Sequence, residues 1–178
     1  MLKRVKDTPI IDLGCGYGND TLYLRERGYT VLSCDLSKEA LRRLACFIDK
    51  PLTIQLDMLD GLPFHRASTR VIIADLSIHY FRWEDTERIV KEIERVLVHD
   101  GYLLCRVNSV NDIKLIPKKR TIIEENYYNI NGRKKRFFNR ELLHRLFRAW
   151  NMVHSAEYAI DRFGSRKVIW EVAAQKKG

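Results

Sequence analysis

Asp12-Leu13-Gly14-Cys15-Gly16-Tyr17-Gly18-Asn19 is the stretch on which the reading of this chain turns. It ends an apolar run, Pro9-Ile10-Ile11-Asp12-Leu13, that predicts a strand, and it opens a helical pattern over 19–27 closed by Gly28. Glycines at alternate positions let the backbone turn sharply and approach a ligand with no Cβ in the way. The helix that follows points its free N–H groups and positive dipole end at the same place. Asp35 closes the next strand-like run, Thr30-Val31-Leu32-Ser33-Cys34-Asp35. In an open α/β sheet a carboxylate there lies beside the ligand crevice and can accept from both hydroxyls of a ribose. The dinucleotide fingerprint Gly-x-Gly-x-x-Gly fails, because one residue rather than two separates Gly16 from Gly18. Asp12 would repel a pyrophosphate and suits a cationic ligand instead.

Working outward, strand and helix patterns alternate. Ser37 is a good N-cap, and the helix after it puts Ala40, Leu41, Leu44, Ala45 and Ile48 on one face. Strands are predicted at 52–56, 71–75 and 102–107, with a helix over 85–98 carrying Ile89, Val90, Ile93, Val96 and Leu97 inward. This rhythm means an α/β fold with a parallel sheet. After Asn108 the chain turns polar, basic and aromatic, with a hairpin expected at Asn131-Gly132. Asn139 caps a short helix with Leu142, Leu143, Leu146 and Phe147. Two strands, 152–160 and 167–174, flank a tight turn at Gly164 and must therefore be antiparallel.

The length, 178 residues, suits one domain, and 46% hydrophobic with 31% charged residues excludes a collagen-like or largely disordered chain. No run nears the roughly 20 apolar residues needed to span a bilayer. The charged N-terminus does not read as a signal peptide, so a cytoplasmic protein without a membrane partner is expected. Cys15, Cys34, Cys46 and Cys105 form no Cys-x-x-Cys pair, which argues against a zinc site and for four reduced thiols. The net charge of +9 is uneven: residues 110–178 hold 16 Lys and Arg against 7 Asp and Glu, while residues 1–109 balance at 16 each. Clusters such as Lys118-Lys119-Arg120 and Arg133-Lys134-Lys135-Arg136 are expected on one side of the molecule. They could draw an anionic small molecule, a nucleic acid or an acidic protein, or simply be solvated.

The glycine motif, the acid before it and Asp35 resemble the class I S-adenosylmethionine-dependent methyltransferases. The resemblance continues through Gln55-Leu56-Asp57-Met58, Gly61-Leu62-Pro63-Phe64, the segment Ala74 to Phe81 and Asp100-Gly101-Tyr102. It is closest to small bacterial enzymes similar to the tellurite-resistance type. It implies one Rossmann-like domain, with a seven-stranded, mostly parallel sheet, an antiparallel last strand and helices on both faces. S-adenosylmethionine is the implied cofactor and S-adenosylhomocysteine the product. The implied roles are Gly14 and Gly16 along the methionine part, Asp12 toward its amino group, Asp35 on the ribose and Asp57 with Met58 at the adenine. Asp75 and Leu76 would offer carbonyls, and Cys15, Asn19 and Leu36 complete the surroundings. His79 and Tyr80 are the weak catalytic candidates, as base and aromatic wall, and Tyr17 and Trp83 are further candidates for a wall.

Methyl transfer demands little acid–base chemistry, because the sulfonium is already a good leaving group and in-line positioning supplies much of the rate. Asp75-Leu76-Ser77-Ile78 lacks the prolines typical of enzymes that methylate base amines. The leading expectation is a small-molecule acceptor. Rivals are RNA or protein methylation docked by the basic third, and cofactor binding without transfer. The chain has only about eight residues ahead of Pro9, so residues 108–138 are expected to act as lid or substrate insertion. Tyr127, Tyr128, Phe137 and Phe138 would exclude water there, and deletion of 118–135 is expected to spare the melting temperature.

Overall fold

β1 (Ile10–Leu13) pairs in parallel with β2 (Val31–Asp35) on one side and β4 (Thr69–Asp75) on the other. β3 (Leu52–Gln55) extends the sheet beyond β2, and β5 (Leu97–Asn108) extends it beyond β4, both again parallel. β10 (Ser165–Lys176) then runs antiparallel to β5, and β9 (Trp150–Arg162) antiparallel to β10. The order is β3-β2-β1-β4-β5-β10-β9. This is the expected seven-stranded sheet, and its chain order reverses between β1 and β4, where open α/β sheets bind ligands. The computed structural model describes residues 7–112, 120–162 and 164–178; Lys118 and Lys119 lie outside them.

Among the described residues four α-helices flank the sheet: α1 (Asn19–Arg25), α2 (Lys38–Phe47), α3 (Trp83–Val96) and α4 (Arg140–Leu146). Ser37 and Asn139 cap α2 and α4 as read from the sequence, accepting from Ala40 N at 3.1 Å and Leu142 N at 2.8 Å. α1 lies on the face to which Asp12 points, since Thr21 Oγ1 donates to Asp12 Oδ2 at 2.8 Å. α3 and α4 cover the other face. There Ile89, Ile93, Leu143 and Phe147 share one core with Ile72, Leu103 and Val107. β5 begins earlier than the predicted 102 because the left-handed Asp100 (φ 58°) bends the strand at Gly101 and leaves 97–99 in strand geometry.

Residues 121–136 form a second sheet of β6 (Thr121–Glu124), β7 (Tyr127–Ile130) and β8 (Arg133–Arg136). Its second turn is the expected Asn131-Gly132, with φ 51° and 82°, the paired positive values of a type I′ hairpin. Two expectations for this segment are corrected. Tyr127, Phe137 and Phe138 are 2%, 0% and 0% exposed, so these rings pack inward rather than facing a ligand, and loss of Tyr127 with 118–135 would cost stability. Arg136 is no part of a basic surface. It is buried, paired with Glu124, and donates to Glu125 O at 3.1 Å, because alternation in β8 turns it inward while Lys135 faces outward. On the outward side Arg120 stacks over Tyr128, which opposes Lys135 in register, and Arg133 and Lys167 lie close enough to Lys135 to lower its pKa further after burial.

Candidate active site

The loop after β1 needs left-handed backbone at Gly14 (φ 75°) and Gly16 (φ 53°), for different reasons. A Cβ on Gly14 would stand 2.4 Å from Ser77 Cβ and 3.5 Å from Met58 Cε, so this glycine lets the loops after β1, β3 and β4 converge. A Cβ on Gly16 would meet nothing within 4 Å. Only Gly16 therefore faces open space, and Gly14 can offer a ligand its backbone alone. Gly14→Ala is expected to cost about 2 kcal/mol or more from the overlap and the φ, visible as a melting shift of several degrees. Gly16→Ala should cost only the φ penalty of about 1 kcal/mol and act instead on ligand binding. Equal melting shifts for the two variants would contradict this division.

Asp35 ties the end of β2 to that loop. Its Oδ2 accepts from Gly16 N and its Oδ1 from Ser37 N, each at 2.8 Å. A carboxylate has about four lone-pair sites, so capacity remains for two further donors. Asp12 lies deeper, 1% exposed, and its Oδ1 has no hydrogen-bond partner among the described residues. Burial pushes its pKa up to about 7, and the neighbouring Asp20, Asp75 and Asp35 push the same way against the Thr21 hydrogen bond. Cys15 is no nucleophile, as burial and then Asp12 and Asp35 hold its thiol well above the ordinary range. All four cysteines are unpaired, and Asn19 is exposed at the first position of α1.

On the β3 side, Leu36 is 62% exposed and borders a cavity of about 570 Å³ with Gln55, Leu56, Asp57, Gly61 and Leu62. Asp57 Oδ1 caps the turn Met58–Asp60 by accepting from Leu59 N at 2.9 Å. The structure thus brings Gly16, Asp35, Leu36, Asp57 and Met58 to one end of the sheet.

At the end of β4, Leu76 is left-handed (φ 49°) and buried, and its N–H donates to Arg106 O at 2.9 Å. Such a conformation costs about 1–2 kcal/mol in a non-glycine residue and turns the chain into Ile78–Tyr80. His79 is 2% exposed, with its ring centroid 4.2 Å from that of Tyr80, which is 45% exposed. His79 is thus placed in the interior and Tyr80 at the surface. Tyr17 is 56% exposed beside Arg43, whereas Trp83 lies against Arg136 and Arg145.

A cross-strand row on the α1 side is not legible in the sequence. Asp75 opposes Arg106, and Arg106 opposes Glu171. Arg106 Nε donates to Asp75 Oδ1 at 2.6 Å, and Tyr158 OH donates to Glu171. The alternation Tyr102-Leu104-Arg106 was the available signal, but its partner on β10 was not. Among the described residues no group of three His, Cys, Asp or Glu side chains is arranged to hold a metal ion.

Comparison with known proteins agrees with this geometry. The family described as "Methyltransferase domain" matches residues 11–105. An uncharacterized methyltransferase of Synechocystis sp. is 28% identical over 92 residues, covering 52% of this chain and 43% of that protein. The chain matches about half the length, or less, of its curated relatives. Among solved structures, a SAM-dependent methyltransferase of Methanosarcina mazei superposes with a TM-score of 0.85 at 20% identity, over 99% of this chain and 96% of the other. The Burkholderia thailandensis 1,6-didemethyltoxoflavin-N1-methyltransferase, solved with that compound and S-adenosylhomocysteine, gives 0.74 at 19% identity over 97% and 73%.

Proposed function

As a member of the methyltransferase domain family, the chain works, we propose, by passing the methyl group of S-adenosylmethionine to a small-molecule acceptor. The observation that carries this reading is the buried Asp12 oxygen without a partner among the described residues, beside a glycine loop whose Gly16 faces open space. A ligand with an ammonium group satisfies such an oxygen, and a pyrophosphate does not. The cofactor supplies an activated methyl on a sulfonium. Asp35 binds its ribose through the two free acceptor sites, Asp57 and the Met58 N–H hold the adenine, and Leu36 covers the base. Asp75 and Leu76 offer carbonyls to the methionine end. Acceptor positioning, rather than a dedicated base, supplies the rate, in keeping with His79 being interior.

The pH dependence tests the Asp12 role. A raised folded-state pKa means that the folded protein holds the proton more tightly, so the Asp12 contribution to stability falls as pH rises from about 4 to about 7 and is flat above. Ligand ammonium favours the ionised carboxylate, so S-adenosylhomocysteine affinity should rise up to tenfold per pH unit until about 7 and then level off. Calorimetric titration from pH 5.5 to 8.5 checks this. Asp12→Asn should bind weakly with a flat profile, and a flat wild-type profile would remove Asp12 from the site.

Docking of RNA or protein is the second reading, and the feature that would carry it is the cationic outer face of Arg120, Arg133, Lys135 and Lys167. Nucleic-acid binding by that face falls steeply with salt, so salt-insensitive binding would rule it out. On either reading the lid proposed for residues 108–138, of which 113–119 lie outside the described residues, would be formed by the small sheet, whose Tyr127 and Arg136 bond to the segment leaving β4. No described helix is long and apolar enough to cross a membrane.

A further inference from the structure

The small sheet is tied to the carboxyl end of β5 and the start of β10. Phe138 N donates to Asn108 O at 2.8 Å, Val110 N to Phe138 O at 3.0 Å and Ser109 N to Val168 O at 3.0 Å. Asp112 completes the junction by accepting from Val168 N at 2.7 Å. Lys167 directly precedes Val168, and Lys135 lies just ahead of the Phe137-Phe138 pair. Lys135 opposes Tyr128 and Arg133 opposes Ile130, so alternation puts both cations on the outer face of β8. Cations from two sheets thus converge at this junction.

Arg133, Lys135 and Lys167 make no ion pair and no side-chain hydrogen bond among the described residues. The remaining residues, 1–6, 113–119 and 163, include no Asp or Glu, so none of them supplies a carboxylate side chain. Arg95, Arg106 and Arg136, by contrast, each face a carboxylate. Lys135 and Lys167 are half-buried and Arg133 is exposed. Burial, then Lys167 and Arg133, lower the Lys135 pKa, while the Asp112 carboxylate acts the other way. Three cations against Asp112 leave an excess of two positive charges. A partly desolvated cation without a partner is costly, and a bound anion offsets that cost.

We propose that Lys135, Arg133 and Lys167 form an oxyanion subsite whose ligand is a phosphomonoester carried by a small molecule. A phosphomonoester brings about 1.5–2 negative charges near neutral pH, which matches the excess, whereas a carboxylate or a phosphodiester brings only one. Lysine meets phosphate as a point charge, and Arg133 adds a planar fork of donors. Four strand spacings of about 4.8 Å, roughly 19 Å in all, separate β10 from β2 and its Asp35. The subsite is therefore distinct from the cofactor crevice, and the proposal does not rest on the methyltransferase reading.

The probes are methyl phosphate, dimethyl phosphate and methanesulfonate, titrated by NMR chemical shift onto the isotope-labelled full chain at about pH 8, where the monoester is a dianion. Methyl phosphate should bind at least fivefold more tightly than either monoanion. Lys135→Met should weaken methyl phosphate at least tenfold while leaving S-adenosylhomocysteine affinity within twofold. If that variant is unfolded by circular dichroism, Arg133→Gln, at an exposed position, should still weaken methyl phosphate severalfold. Saturating S-adenosylhomocysteine should leave methyl phosphate bound. Equal or tighter binding of dimethyl phosphate would assign the face to a polynucleotide backbone and overturn the proposal. So would displacement of methyl phosphate by S-adenosylhomocysteine, no binding of any probe, or wild-type affinity for methyl phosphate in the folded variants.

Discussion

Asp35→Ala is expected to weaken S-adenosylhomocysteine binding at least a hundredfold. The carboxylate would accept two ribose hydroxyls, and bonds to a charged acceptor contribute about 1.5–3 kcal/mol each. The same substitution releases Gly16 N and Ser37 N from their 2.8 Å bonds, so the loop loses its anchor together with the ligand. A summed loss of about 3–4 kcal/mol corresponds to two to three powers of ten in Kd. Asp35→Asn keeps one oxygen and the shape, and should lose roughly tenfold. Calorimetry on both variants checks the order, with thermal melts showing that each is folded. Wild-type affinity in Asp35→Ala would mean that the ribose is held elsewhere and would overturn the cofactor assignment.

Arg136→Ala is expected to be the most destabilising single change outside the core. The side chain is 2% exposed and lies 4.9 Å from the Tyr127 ring centroid and 5.6 Å from that of Trp83. Its removal opens a cavity, frees the Glu125 carbonyl and breaks the pair with Glu124. Breaking a buried pair costs about 3–5 kcal/mol. Glu124 keeps Arg82 Nη1 at 3.0 Å, so the lower end, about 3 kcal/mol, is expected. For a chain of this length that is a fall in Tm of roughly 6–12 °C. Acid should shrink the difference. Burial opposes ionisation of Glu124, yet its donors Arg136, the Trp83 N–H and Arg82 outweigh it and hold its carboxyl below the usual carboxylate range. The stability from that depressed pKa is present at neutral pH and is lost as pH falls below about 4. Thermal melts at pH 7 and pH 3.5 test both parts, and a fall of under 2 °C at pH 7 would show that the pair is not structural.

The consequence of that loss reaches the site. Tyr127 OH donates to Tyr80 O at 2.8 Å and Arg136 Nε to Phe81 O at 3.4 Å, so the small sheet is fastened to the segment that leaves β4. From sequence the run Arg133-Lys134-Lys135-Arg136 reads as four surface cations. Strand alternation alone places its members on opposite faces, but the inward cation is identified only by Glu124, which comes from another strand of the small sheet. Likewise His79 reads as a titratable candidate until its burial is known. Gly14 and Gly16 read as equivalent until Ser77 is found against one of them.

What the sequence by itself determined is local or follows from chain order: the glycine loop, Asp35 closing β2, the caps at Ser37 and Asn139, the Asn131-Gly132 hairpin and the alternation that makes a parallel sheet. Each depends on backbone preference, a hydrogen bond spanning a few residues, or the short reach of a connecting turn, and those forces are written in consecutive residues. What only the tertiary structure decided depends on which strands become neighbours. β10 inserts between β5 and β9, and this sets Glu171 beside Arg106, which is itself beside Asp75 of β4. Charges far apart in the chain acquire a common field only when the sheet aligns them, because Coulomb interactions between separated residues are screened in the unfolded chain and strengthen at hydrogen-bond distance in a partly desolvated cavity.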